Sequence, residues 1–381
     1  MKRLEYELEF ITPAFIGGAN PQEAELRPAS IVGMLRWWFR VLVGAWVNNT
    51  EELFKLESEL FGSQERAGKV WVRVKGLHKF TIEGCEEWDV GRPDRGRPGK
   101  DSGKAYLGYG NILFINLQRQ ENLKRYPFLQ TCLNKGKNKG TFTVRSYIPT
   151  NSSFGVSVLV PEDKVDFIES LLFIVSQLGT IGSRSRRGWG SFILKPKYKS
   201  GYEIWDRFSP EELKKAIAKL SKEKNSLEIY IYGSYSDPMS ALEDIGMQFR
   251  AFRSRRNPDY TLLKDFLSKP SDSNKEKLKR VGVLRTYFGL PINFRFSSLE
   301  GKQISITAKV GKDDTRLASP VRFKVIPNKN SFSVLIIHHK LKEFPYIIVK
   351  TQSEKFKIDK NPDSSIFYDF LNHLKNVRRV M

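Results

Sequence analysis

The sequence predicts an α+β protein of two domains. Three observations carry this reading. Its 381 residues exceed what a single hydrophobic core ordinarily supports. Stretches of period-two alternation interchange with stretches of three-four spacing along the chain. An alternating strand starts at residue 4, and a fresh one starts near 226, so the pattern begins twice. With 40% hydrophobic and 12% aromatic residues, the chain can bury enough apolar surface to offset its ordering entropy, which excludes disorder.

Leu4, Tyr6, Leu8 and Phe10 alternate with Arg3, Glu5, Glu7 and Glu9, as in a half-buried strand. Thr12-Pro13 ends it, "GGAN" at 17–20 turns the chain, and Ser30 is placed to cap a helix reaching about Val47. The apolar run of that helix, Ile31 to Val47, is interrupted by Arg36 and Arg40 and is short for a bilayer, so it reads as a buried helix. Val70, Val72 and Val74 give a second strand, "NILFINL" at 111–117 a third, and 141–147 another. Between the second and third, residues 84–104 are crowded with Gly, Pro and charge and read as an excursion from the sheet. Ile168, Leu171, Leu172, Val175 and Leu178 share one helical face, and Gly179 stops that helix in an expected left-handed conformation. A strand over 189–197 completes a β-α-β-β-α-β order with insertions, which is ferredoxin-like (RRM-like).

Ser209-Pro210-Glu211-Glu212 opens an amphipathic helix that the spacing places between two domains. The division is therefore 1–200, a linker helix within 201–225, and 226–381. The second half offers a strand at 226–235, helices at 239–252 and 259–268, and strands near 302–309, 320–326, 332–338 and 345–350. A terminal helix is expected over 363–379, with Ile366, Phe370, Leu374 and Val377 on one face. This half is β/α again, its strand order left open by the pattern.

The chain carries 64 Lys and Arg against 42 Asp and Glu, a formal charge of +22. Such a surplus favours polyanions, nucleic acid first among them. Cys85 and Cys132, the only cysteines, stand far apart, which argues against a disulfide framework or a cysteine-rich zinc site. No cleavable apolar leader follows Met1, and the expected setting is the cytoplasm, away from membranes.

One loop stands out. "GTIGSRSRRGWGSF", 179–192, holds four glycines and three arginines without a carboxylate, and six cations but no acid fall between Gly179 and Gly201. Gly182 and Gly188 let another backbone come close while Ser183, Arg184, Ser185, Arg186 and Arg187 supply donors. The ending Arg-Arg-Gly-Trp before a strand is not the Gly-Lys-Ser/Thr of a nucleotide-hydrolysing phosphate loop. A sugar-phosphate chain fits better, with Trp189 either stacking on a base or filling the core. Arg36 and Arg40, four apart on one helix face, need acceptors, either internal acids or phosphates. "GMQFRAFRSRR", 246–256, adds a second basic patch of Arg250, Arg253, Arg255 and Arg256.

Little points to catalysis. His78, His338, His339 and His373 fall in no metal-spaced motif, and no cofactor or metal site is read. Asp89, Asp94 and Asp101 lie in the excursion, where solvated charge is the ordinary reading.

"ELRPASIVGMLRWWFR" (25–40), "LFGS" (60–63) and the glycine-rich loop closely resemble the RAMP proteins of CRISPR systems, most of all the first-numbered RAMP subunit of the Cmr complex, the type III-B RNA-guided effector. "RLASPVRFKV" (316–325) is similar as well. The resemblance implies two tandem ferredoxin-like domains and a non-catalytic subunit that contacts single-stranded guide RNA near its 3′ end or captured target RNA, beside other Cmr subunits. It carries the family's loop onto Gly179, Gly182, Gly188 and Gly190 with Arg184, Arg186 and Arg187, and its helix motif onto Arg27, Ser30, Gly33 and Arg36. Val32 departs from the lysine often found before that glycine. The rival reading is a metal-independent endoribonuclease with His78 as base, as some RAMP relatives are. A third is a basic structural protein of ribosomes or DNA.

Overall fold

The computed structural model describes the chain except residues 19, 21, 48, 77–78, 82–101, 222–226, 255–257, 312 and 342–343. The first alternation becomes β1 (Lys2–Phe10), which buries Leu4, Tyr6, Leu8 and Phe10. A short β2 (Glu23–Ala24) leads to α1 (Pro28–Val43). Here Arg27 is the cap and Pro28 the first helical residue, so Ser30 sits inside the first turn and not at its cap. Proline's preset φ starts the helix earlier than a serine cap would. Next comes α2 (Thr50–Phe61), absent from the sequence reading although Asn49 accepts from the Glu52 N–H and caps it.

The chain continues through β3 (Trp71–Lys75), β4 (Phe80–Thr81), α3 (Gly103–Leu107), β5 (Ile112–Asn116), α4 (Gln120–Arg125), α5 (Gln130–Asn134) and β6 (Lys139–Thr143). It then forms β7 (Ser153–Val160), α6 (Val165–Leu178), β8 (Phe192–Pro196) and α7 (Pro210–Leu220). One antiparallel sheet has the order β3-β7-β1-β8, in register at Leu8↔Phe154 and Phe10↔Phe192. Its third strand is thus β7, not 111–117. β5 and β6 pair only with each other, over a small core of Ile115, Leu117, Leu129, Cys132, Phe142 and Val144. Cys132 is disulfide-bonded, which the spacing of two distant cysteines did not suggest; Cys85 lies outside the described residues.

The remaining elements are β9 (Leu227–Tyr235), α8 (Pro238–Ser254), α9 (Asp259–Ser268), α10 (Asp272–Val281), β10 (Ile292–Phe296), β11 (Lys302–Val310), β12 (Asp313–Thr315), β13 (Val321–Pro327), β14 (Phe332–His339), β15 (Tyr346–Lys350), β16 (Lys355–Lys357), α11 (Ser365–His373) and β17 (Val377–Arg379). A second four-stranded sheet has the order β13-β14-β9-β17, and a further one runs β10-β11-β15-β16 with β12 on β11. The terminal helix stops at His373. Asn376 turns in a left-handed conformation, φ 59°, and Val377 joins a strand, after which the Val380 N–H donates to Ile229 O and the Ile229 N–H donates to Met381 O.

The residues form two compact units. The first comprises 1–247, 323–337 and 378–381, and its core joins the buried face of β1 to Leu213, Ala216, Ile217 and Leu220 of α7. The helix read as a linker is therefore packed into that core. The second unit, 248–322 and 338–377, is built around Leu263, Phe296, Ile304, Ile306, Ile347 and Val349. Among the described residues, no helix is long and apolar enough to cross a membrane.

Candidate nucleic-acid interface

The glycine-rich loop is built from its stems outward. At the end of α6 the Gly179 N–H donates to Val175 O at 2.7 Å. Gly179 is extended, φ −80°, and not left-handed as expected. Glycine is needed there for space, since a Cβ would stand 2.5 Å from Val175 O and 2.9 Å from Met34 Sδ. Thr180 and Ser191 bridge, and the Ile181 N–H donates to Gly190 O at 2.9 Å. Gly190 has φ +67° and a Cβ there would lie 1.9 Å from Ile181 O, which no side chain tolerates.

Further bonds make the loop a strap and not a loose turn. Thr12 Oγ1 and Ser191 Oγ both donate to Gly188 O at 2.8 Å, and the Gly190 N–H donates to Pro13 O at 2.9 Å. Thr180 Oγ1 donates to Ser185 O at 2.7 Å, while Arg186 O accepts from the Phe323 N–H at 3.1 Å. Trp189 is 0% exposed and its ring packs 5.1 Å from that of Phe15. The possibility that it stacks on a base is thereby corrected, because the polar pins at 188–191 turn the indole inward. Gly188, also buried, meets Leu242.

The outer residues are 182–187. Gly182 is exposed at φ +98°, and the Ser183 N–H donates to Phe15 O at 2.8 Å. Arg184, exposed, holds the left-handed φ of +59° and sets its guanidinium 5.8 Å over the Tyr109 ring. Asn111 Nδ2 donates to Ser183 Oγ at 3.2 Å. Arg186 is half-buried. Among the described residues, no carboxylate lies within ion-pair distance of Arg184 or Arg186. Partial desolvation lowers the pKa of both guanidiniums. Arg187 lies 6.0 Å over the Phe323 ring.

Ala14–Gly17 joins this loop to the start of α1. Ser183 bonds Phe15, the Glu25 N–H donates to Ile16 O at 3.1 Å, and Arg27 Nη2 donates to Gly17 O at 3.0 Å. Arg27 is exposed and 3.5 Å from Glu25. The first turn of α1 has no acid and no side-chain cap; Pro28 lacks an N–H and the Ser30 N–H donates to Arg27 O at 3.0 Å, so it is the helix dipole that presents positive potential near the half-buried Ser30. Gly17 and Gly33 are exposed, and a Cβ on either would touch nothing within 4 Å.

Arg36 and Arg40 have a different task. Both grip the buried carboxylate of Glu57 in α2, Arg36 Nη1 at 3.0 Å and Arg40 Nη2 at 2.7 Å, with a second Arg40 bond through Nε. Arg36 also donates to Phe61 O and Gly62 O at 2.6 and 2.7 Å. Of the two acceptors read for them, the internal acid is the one they bond here, with the Arg40 side chain still 54% exposed.

The second basic patch belongs to the other unit. Arg250 and Arg253 are half-buried residues of α8 in the other unit, and Arg253 lies 5.5 Å over the Phe249 ring. Arg255 and Arg256 lie outside the described residues, as do His78, Asp89, Asp94 and Asp101. His338 is fully buried, its Nε2 2.6 Å from Tyr287 Oη. Sequence reasoning missed Tyr109 and Asn111. The one signal for them is the flanking pair Gly108 and Gly110, which marks a turn that can present a side chain outward.

Residues 7–193 match the family model of the RAMP superfamily. The chain is 30% identical over 194 residues to CRISPR system Cmr subunit Cmr1-2 of Pyrococcus furiosus, covering 50% of this chain and 94% of that one. It is 27% identical over 345 residues to Cmr subunit Cmr1-1 of the same organism, covering 84% and 82%. The crystal structure of apo Cmr1 from Pyrococcus furiosus shares the fold, with a TM-score of 0.50 at 20% identity over 100% of this chain and 99% of that one. A chain in the cryo-EM structure of the Type III-B Cmr-beta bound to cognate target RNA gives 0.47 at 15% identity, over 98% and 100%. The chain belongs to the RAMP superfamily, in the family of Cmr1 subunits of the type III-B CRISPR system.

Proposed function

We propose that this chain is a non-catalytic, cytoplasmic RNA-binding subunit of a type III-B Cmr complex, holding single-stranded guide RNA near its 3′ end or captured target RNA beside other Cmr subunits. The observation that carries the reading is that Arg184 and Arg186, for which no carboxylate among the described residues lies within ion-pair distance, sit two residues apart on a strap fixed by backbone pins. Gly182, Ser183 and Ser185 let a sugar-phosphate backbone approach and supply donors, while Arg27 and Ser30 extend the surface across Ala14–Gly17. Arg187, Gly188 and Trp189 support the strap from beneath. Arg250, Arg253, Arg255 and Arg256 are kept as a separate contact for RNA. Sequence specificity is left to base pairing elsewhere in the complex.

The architecture proposed with it is two ferredoxin-like modules, 1–200 and 226–381, joined through 201–225. Strand order supports this. Numbered within each half, β3-β7-β1-β8 and β13-β14-β9-β17 both read second, third, first, fourth. The third sheet and its helices are then insertions in the second module.

Titrating a fluorescent single-stranded RNA at several salt concentrations tests the binding role. Replacing Arg184 and Arg186 with alanine should weaken binding and reduce the salt slope by roughly 1.4, about 0.7 for each lost phosphate contact. An unchanged slope in the folded double variant overturns the role of the loop. Defined RNA cleavage in EDTA that disappears in His78→Ala overturns the non-catalytic assignment.

A further inference from the structure

We propose that Tyr109 is a stacking subsite for one unpaired nucleobase beside the glycine-rich loop; this rests on the RNA-binding reading of that loop. Of the large apolar and aromatic side chains exposed among the described residues, Tyr109 has the greatest exposure, 67%. Such a ring at an edge usually belongs to a mobile turn. This one does not, because both of its flanks are anchored.

On one side is α3, whose N-terminus is gripped by Glu243 of α8. That carboxylate accepts from Ser102 Oγ at 2.9 Å and from the N–H groups of Gly103 and Lys104 at 2.8 and 3.0 Å. Gly103 and Gly246 allow the close approach, since a Cβ on Gly103 would stand 1.9 Å from Glu243 O. On the other side the Asn111 and Ile112 N–H groups donate to Gly108 O at 2.9 and 3.1 Å, and Asn111 O accepts from the Val144 N–H at 2.7 Å. The buried Asn111 side chain then ties this turn to Ser183 of the loop.

Arg184 covers one face of the ring, and Gly110, at φ +92°, leaves room for its guanidinium, which a Cβ there would approach to 3.3 Å. Among the described residues the ring is otherwise largely exposed. In a single strand a base and its phosphate hang from one sugar, so a phosphate held at Arg184 delivers a base to the neighbouring ring. A rigidly mounted aromatic next to a phosphate-binding cation is the combination by which single-stranded nucleic acid is held without sequence preference.

The test compares a single-stranded RNA with the same strand made abasic, binding each to the full-length chain and to Tyr109→Ala and Tyr109→Trp. Tyr109→Ala should bind intact RNA about tenfold more weakly with its salt slope unchanged, bind abasic RNA as the wild type does, and Tyr109→Trp should restore affinity. Equal weakening for both RNAs would mean that the ring only supports Arg184, and no weakening would mean that it touches no base; either overturns the subsite while leaving the loop's role intact. If the wild-type chain binds neither RNA, the RNA-binding reading fails and the subsite with it.

Discussion

The side-chain nitrogen of Lys324, a residue of β13 with no exposed surface, donates to the main-chain oxygen of Phe192 at 2.8 Å. It also donates to Ser176 O, so one side chain holds the last turn of α6 and the first residue of β8, the two stems of the glycine-rich loop. Loss of this grip leaves two buried carbonyls without their donor. Lys324→Met should therefore destabilise the folded chain by about 2–4 kcal/mol, measured by urea unfolding.

That measurement has a pH signature. Burial holds the Lys324 pKa well below its ordinary 10.5. Between the lowered folded value and 10.5 the unfolded chain binds the extra proton, so this residue makes stability rise with pH across that window and fall as pH drops through it. Unfolding curves from about pH 8 to 10.5 should show the rise in the wild type and its absence in Lys324→Met.

Glu57 should behave in the opposite sense. Burial pushes its carboxyl up, but the hydrogen bonds and charges of Arg40 and Arg36 outweigh that and hold it below its ordinary 4.5. Its contribution is thus complete above 4.5 and disappears as pH falls through the lowered folded value. Glu57→Gln should lose about 2 kcal/mol at neutral pH, less than a fully buried pair because Arg40 is largely exposed, and flatten the acid limb of the stability curve. Arg40→Gln should leave the salt slope of RNA binding unchanged, which separates that residue from the loop arginines.

Two glycines should respond in contrary ways. Gly190→Ala would place a methyl 1.9 Å from Ile181 O and should prevent the loop from closing, seen as a large fall in melting temperature. Gly33→Ala, in an exposed helical position with nothing within 4 Å, should stabilise α1 by about 0.5–1 kcal/mol. The same variant should bind single-stranded RNA more weakly, because the added methyl stands where a ligand backbone would approach. Stabilisation without loss of affinity would remove Gly33 from the interface.

Local pattern carried much of the fold. β1, β9, α7 and α9 fall close to where alternation, capping and helical spacing place them, because each buries a face that its own residues define. Long-range pairing was not legible in the same way. The sequence reading offered 111–117 and had no strand at 153–160, and it is the pairing with β1 and β3 that puts Ser153–Val160 in the sheet. The site divides similarly. The chemistry of 182–187 was readable from composition, whereas the inward turn of Trp189 depends on Thr12, Pro13 and Phe15, about 175 residues away. The partner of Arg36 and Arg40 sat on a helix that the sequence reading lacked, so their acceptor could not be named.

The β5–β6 hairpin has its own small core and shares no ladder with the four-stranded sheet. Insertions, deletions or replacements in 113–142 therefore leave every register of that sheet untouched. A change of length or composition there can be absorbed within this lobe while the backbone bonds of the strap stay as they are.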